Sequence, residues 1–141
     1  MTRIAINGYG RVGRCVLRAI HERGLQDRLE IVAINDLANP ELMVHLTRVD
    51  STHGHFNAEV AWADDAMHVN GRRIAVSQHK EPAQLSWRAL GVDLVLECSG
   101  KFKRREQLAG HLSANAPQVL VSHPVEDADK TVVFGVNHTE L

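Results

Sequence analysis

Apolar and polar positions change period along the chain, and each change marks an element. Arg3-Ile-Ala-Ile-Asn7 is a short apolar run stopped by Gly8, which suits a strand buried on both faces. From Arg11 the period becomes helical: Val12, Cys15, Val16, Ala19 and Ile20 recur on one side, with Arg14, Arg18, Glu22 and Arg23 on the other. Gly24 stands where a helix C′ residue belongs. A second buried strand reads from Glu30 to Asn35, so the first third of the chain predicts a βαβ unit with a parallel strand pair. Asn39 then caps a helix with Pro40 at its first position and Leu42, Met43 and Leu46 as its inner stripe. The middle of the chain changes character. Ala58–Trp62 and Arg73–Val76 read as strands, with Met67–Gly71 as a turn region between them. Asp93–Cys98 returns to buried-strand character, and a helix fits Arg104–Ala114, with Leu108 and Leu112 spaced four apart. Gln118–Ser122 and Thr131–Phe134 predict two closing strands. The fold class is α/β, a doubly wound, mostly parallel sheet with helices on both faces.

Composition narrows the function classes. A chain of 141 residues is one domain, 1–141, since a single core closes at roughly 100–200 residues. With 16 basic and 17 acidic side chains the net charge is -1, which argues against a protein built to coat nucleic acid or an anionic membrane. No apolar run approaches the roughly 20 residues of a membrane span, and Asn7-Gly8 breaks the only stretch that could open a signal peptide. Cys15 and Cys98 make neither a disulfide framework nor a zinc spacing, so a cytoplasmic, reduced protein is expected.

Gly8-Tyr-Gly-Arg-Val-Gly13 matches G-x-G-x-x-G between a predicted strand and a predicted helix. Gly8 permits the tight turn, Gly10 leaves room for a pyrophosphate, and Gly13 lets the helix pack closely on the strand. The helix N-terminus offers the phosphates unpaired N–H groups and partial positive charge. Asp36, ending the second strand, supplies the fingerprint's acidic residue: a carboxylate there accepts from ribose hydroxyls and repels a 2′-phosphate, favouring NAD over NADP. Its blander use is to cap the next turn.

Ile6–Arg14, Val32–Asp36 and Asp50-Ser-Thr-His-Gly54 together resemble the amino-terminal half of phosphorylating glyceraldehyde-3-phosphate dehydrogenases, and Leu90–Gly100 and Phe134-Gly-Val-Asn-His138 continue the likeness in order. Val121-Ser-His-Pro124 followed by Thr131–Asn137 resembles the erythrose-4-phosphate dehydrogenase branch, since the glyceraldehyde enzymes usually carry alanine where His123 stands. The resemblance implies a Rossmann-type domain with NAD as cofactor. It implies Asn7, Gly8, Gly10, Arg11 and Val12 along the diphosphate, Asp36 at the adenosine ribose, and Gln78, His79 and Lys80 beside adenine. Cys98, Ser99, Gly100 and Phe102 would lie beside the cofactor, and Ser122, with Asn137, would approach the nicotinamide half. Lys80 and His55 stand where relatives have arginine, and Cys98-Ser-Gly100 where they have Ser-Thr-Gly. The implied reaction oxidises D-erythrose 4-phosphate to 4-phosphoerythronate on the way to pyridoxal phosphate; the alternative is glyceraldehyde 3-phosphate oxidation in glycolysis. A thiolate attacks the aldehyde, hydride passes to NAD, and water or phosphate releases the acyl group. The family's nucleophilic cysteine lies in a Ser-Asn-Ala-Ser-Cys-Thr-Thr-Asn segment shortly after Gly-Val-Asn, which these 141 residues do not contain, so they are expected to be an NAD-binding half that is inactive alone. The sugar-phosphate substrate would be held by the catalytic domain, and the assembly is expected to be a homotetramer.

Other readings carry less. Cys15 is expected in the core and Cys98 at a buried strand end without a base, so no catalytic residue is assigned. His45, His53 and His55 lack carboxylate or cysteine partners at ligand spacing, and no metal is assigned; the histidines are expected on polar surfaces. Lys101-Phe-Lys-Arg-Arg105 is a dense basic run that could meet nucleic acid or the cofactor's phosphates, but Glu97 and Glu106 dilute it, and a solvated helix start explains it better. An RNA-binding domain and a non-catalytic NAD-binding module stand as the alternatives from other classes.

Overall fold

In the computed structural model, which describes residues 1–141, the apolar runs become the strands of one seven-stranded sheet. The elements are β1 (Thr2–Asn7), α1 (Arg11–Glu22), β2 (Leu29–Asn35), α2 (Pro40–Arg48), the short pair β3 (Val49–Asp50) and β4 (Gly54–His55), β5 (Val60–Ala63), β6 (Ala66–Val69), β7 (Arg72–Ser77), β8 (Leu94–Glu97), α3 (Arg105–Ser113) and β9 (Gln118–Val121). The sheet runs β5-β6-β7-β2-β1-β8-β9. Strands β7, β2, β1, β8 and β9 are parallel, whereas β5 and β6 are added antiparallel at one edge. From β1 the chain passes to β2, crosses to the edge at β5, steps back inward through β6 to β7 beside β2, and then lays β8 on the other side of β1. The direction of winding therefore reverses at β1, and a crevice opens at the carboxyl ends of the strands there.

Strand alternation separates two cores. Ile4, Ile6, Ile31 and Ile34 pack with Leu17 and Ile20 of α1 and Met43 and Val44 of α2. On the opposite face the strands present small side chains, Ala5 and Ala33, and Trp87 fills the space they leave, together with Leu85, Val92 and Val95. Asn39 caps α2 through its side-chain oxygen, and Gly24 follows α1 at a φ of 63°, as the sequence predicts. No helix is long and apolar enough to cross a membrane.

Three expectations need correction. Residues 66–69 form strand β6 rather than a turn; the tight turns sit on either side, at Asp64-Asp65 and Asn70-Gly71, all with positive φ. Thr131–Phe134 forms no strand. The Asn137 side chain accepts from the Val133 N–H (2.7 Å) and donates to the Thr131 carbonyl (3.0 Å), so the segment closes on itself as a turn and leaves Phe134 88% exposed. The helix stripes are rotated: α1 buries Gly13, Leu17, Arg18 and Ile20 while Cys15 is half-buried, α2 buries Met43, Val44 and Thr47, and in α3 Leu108 is buried with His111 while Leu112 is exposed. Arg18 goes inward because the Gly54 carbonyl (3.1 Å) and the Phe56 ring (5.2 Å from the guanidinium) receive its charge.

Candidate functional site

An open cleft of about 190 Å³ lies at the crevice, lined by Asn7, Gly8, Gly10, Asn35, Asp36, Leu37, His79, Lys80, Cys98, Ser99, Lys101 and Phe102. Each group of residues follows the carboxyl end of a parallel strand: β1, β2, β7 and β8 in turn. Most of the residues singled out in the sequence are thus neighbours, although they span ninety-odd positions.

The three glycines of the loop differ in what requires them. Gly8 has a φ of 90°, and a Cβ there would sit 2.4 Å from the Ser99 backbone. A Cβ on Gly13 would meet the Gly8 carbonyl at 2.5 Å, so α1 lies directly against the loop. Nothing of the protein lies within 4 Å of a Cβ placed on Gly10. The fold has no need of glycine at that position, and the open space lies at the cleft. Helix α1 begins there without a side-chain cap and without an acidic residue in its first turn, so its N–H groups and positive end are free for an anion. Tyr9 turns inward; its hydroxyl is 2.8 Å from Thr47 Oγ1, and burial pushes its pKa up to about 12.

Across the cleft, Asp36 is held by two backbone donors, the Tyr9 N–H to Oδ2 (2.6 Å) and the Ala38 N–H to Oδ1 (2.8 Å). The turn-capping use is therefore present, and the carboxylate still borders the cleft with lone pairs to spare. Gln78 stands just outside, donating to the Ala38 carbonyl (2.9 Å). Arg11 is directed elsewhere. Its guanidinium reaches Asp50 (3.0 and 2.8 Å) and so braces the 50–55 loop. The His53 and Thr52 N–H groups, with Arg11, hold the Asp50 carboxyl far below the usual range against the opposing effect of burial. Val12 is 45% exposed on α1, and Gly100 and Ser122 lie beyond the lining. Burial pushes the Cys98 thiol up, the Ser122 hydroxyl opposes this, and Glu97 adds to the rise, which leaves it a poor nucleophile. No group of three or more His, Cys, Asp or Glu side chains is placed to hold a metal ion.

Sequence reasoning missed Asn35 and Leu37 at the cleft, and it ranked a solvated helix start above a phosphate role for the run containing Lys101, which does line the cleft. Asn35 is the most informative: its amide donates to the His79 carbonyl (2.9 Å) and accepts from the His79 N–H (2.9 Å), locking the β7 end to β2. Position was the available signal, since Asn35 ends β2 as Asn7 ends β1 and the two pair in register. Glu97 and His111 also need correction, because neither is a surface group. Both are 0% exposed and hydrogen-bonded to each other beneath the loops.

Residues 2–105 match the family model described as the NAD binding domain of glyceraldehyde 3-phosphate dehydrogenase. A glyceraldehyde-3-phosphate dehydrogenase of Pseudomonas aeruginosa is 50% identical over 139 residues, 99% of this chain and 42% of the relative. Plasmid and chromosomal glyceraldehyde-3-phosphate dehydrogenases of Cupriavidus necator are 51% and 50% identical over 140 residues, again 42% of their length. The chain thus spans less than half the length of these relatives.

Proposed function

Since the chain belongs to the NAD-binding domain family of glyceraldehyde 3-phosphate dehydrogenase, we propose that its cleft holds NAD with Gly8, Gly10 and the first turn of α1 at the diphosphate and Asp36 at the adenosine ribose. NAD is the cofactor of that domain, and when bound it supplies the hydride acceptor. What these residues supply is position and charge. The uncapped α1 N-terminus over the open space at Gly10 is the observation that carries the reading. Lys80 and Lys101 at the cleft add positive charge that attracts an anionic cofactor. Asp36, fixed by two backbone N–H groups, keeps acceptor capacity for vicinal hydroxyls and repels a 2′-phosphate. Calorimetric titration should find NAD bound more tightly than NADP, and Asp36→Ala should narrow the gap by about tenfold. Equal affinities in the native chain would remove the ribose assignment.

The whole-protein reading is a cytoplasmic, homo-oligomeric oxidoreductase acting on a phosphorylated sugar aldehyde. The relatives' names support glyceraldehyde 3-phosphate. Erythrose 4-phosphate rests on the likeness of Val121–Pro124 and Thr131–Asn137, within which His123 donates through Nε2 to the Phe102 carbonyl (2.5 Å). That bond ties β9 to the loop after β8, so the residue has a packing task that does not depend on the substrate. The 141-residue polypeptide should turn over neither aldehyde, because Cys15 and Cys98 have no imidazole among their hydrogen-bond partners to make a thiolate. Purified chain with NAD and either aldehyde is the assay; NADH formation lost in Cys98→Ser would make Cys98 catalytic after all.

A further inference from the structure

A chain of buried polar groups holds the glycine loop and the segment facing it, and cofactor contact does not explain it. The Glu97 carboxylate, without exposed surface, accepts from Asn7 Nδ2 (2.6 Å) and His111 Nε2 (2.8 Å) at Oε2. At Oε1 it accepts from the Ser99 N–H (2.8 Å) and the Ser99 hydroxyl. His111 accepts at Nδ1 from the indole N–H of Trp87 (3.2 Å). An indole nitrogen only donates, so Nδ1 carries no proton and Nε2 carries one. From the other side, Asn35 Nδ2 donates to Asn7 Oδ1 (2.7 Å), while the Ser77 hydroxyl and the His79 N–H donate to Asn35 Oδ1 (2.9 Å each). The donors on both sides point toward one carboxylate, and that polarity sets which way both amides face.

A buried ion is weak evidence for stability, since apolar residues of similar volume often replace one without loss. What Glu97 does that a hydrocarbon could not is fix Asn7 and Ser99. Those two residues border the cleft at the ends of the adjacent strands β1 and β8, and the Ser99 backbone is the group that a Gly8 Cβ would strike. We propose that Glu97, oriented by His111 and Trp87, is a positioning residue for cofactor binding: it sets the gap between the glycine loop and the segment after β8 without touching the cofactor. This rests on the cleft being the NAD site. Burial alone would raise the Glu97 carboxyl, but the donors from His111, Ser99 and Asn7 outweigh it and hold the group low, hence anionic as the polarity requires.

Glu97→Gln keeps the volume and breaks the polarity, because its amide N–H₂ must face either the Asn7 and His111 N–H groups or the Ser99 N–H. The native chain and variants are titrated with NAD and with AMP, which carries only the adenosine half. NAD should bind at least about tenfold more weakly to Glu97→Gln, the size of a lost charge-assisted hydrogen bond. AMP should be weakened clearly less than NAD, because Glu97 bonds Asn7, Ser99 and His111 directly, whereas Asp36 is held by the Tyr9 and Ala38 N–H groups. His111→Phe, which keeps a ring and loses the donor, should reproduce the loss; His111→Gln, which restores an N–H toward Oε2, should recover most of it. Equal weakening of NAD and AMP would mean general structural damage and would overturn the positioning role, as would native NAD affinity in Glu97→Gln. Should Glu97→Gln fail to fold, the His111 pair decides: indistinguishable NAD affinity for the Phe and Gln variants sinks the proposal. Failure of the cofactor reading looks different, since the native chain would then bind neither NAD nor AMP.

Discussion

Gly8→Ala should lower the melting temperature by about 10 °C, the largest stability loss expected from adding one methyl group to the loop. Two costs combine. A side chain at a φ of 90° meets its own backbone, at roughly 1–2 kcal/mol. The new Cβ would also lie 2.4 Å from Ser99 Cα and N, and that backbone is held from beneath by Glu97. Moving it adds an overpacking cost of about 1–3 kcal/mol, large against a total stability of roughly 5–15 kcal/mol. Thermal unfolding followed by far-ultraviolet circular dichroism measures it. A shift under about 2 °C would mean the loop and the segment after β8 are not in the contact described here.

Gly10→Val should do the reverse, abolishing NAD binding while leaving the fold nearly untouched. Gly10 has φ -77° and ψ -152°, an extended conformation open to any residue, and its Cβ would meet no protein atom within 4 Å. The stability cost should stay near the ~1 kcal/mol expected for a poor helix N-cap. Bulk introduced there projects into the space assigned to the diphosphate and separates it from the α1 N–H groups. Calorimetry should detect no NAD binding at concentrations that saturate the native chain. Persistent binding would move the phosphates away from α1. Neighbouring glycines of one motif would thus fail in different ways, one in folding and the other in binding.

The parts of the fold that could be read from the sequence are those enforced locally. The β1–α1 junction is set by glycines two and three residues apart, and the start of α2 by Asn39-Pro40, so each announces itself within a few positions. The Thr131–Phe134 run has the composition of a strand, but strands need a partner, and the Asn137 side chain supplied a local alternative. Helix phase was misjudged where distant groups decide it. Arg18 is inward only because the 53–54 carbonyls and the Phe56 ring come to it from β4 and beyond. Of the candidate site, the glycine loop and Asp36 were visible because the motif ties residue type to chemistry. Glu97 was not, since a glutamate at a strand end reads as solvated, and besides its neighbour Ser99 its donors arrive from positions 90 residues before and 14 after it. Arg11 lies in the motif, but its direction is chosen by Asp50, 39 residues away.

The reversal of winding at β1 also fixes when in folding the cleft can exist. β1, α1 and β2 are contiguous in sequence, so their contacts close short loops, and that unit already contains the whole glycine motif. The opposite wall comes from β8, which docks beside β1 through contacts about 90 residues apart in sequence, a slow closure by loop entropy. A nascent chain ending before Leu94 therefore carries the complete fingerprint and no site. A cofactor held by both walls, as proposed, would gain its stabilisation only after β8 is seated, and is therefore expected to slow the domain's opening rather than hasten its assembly.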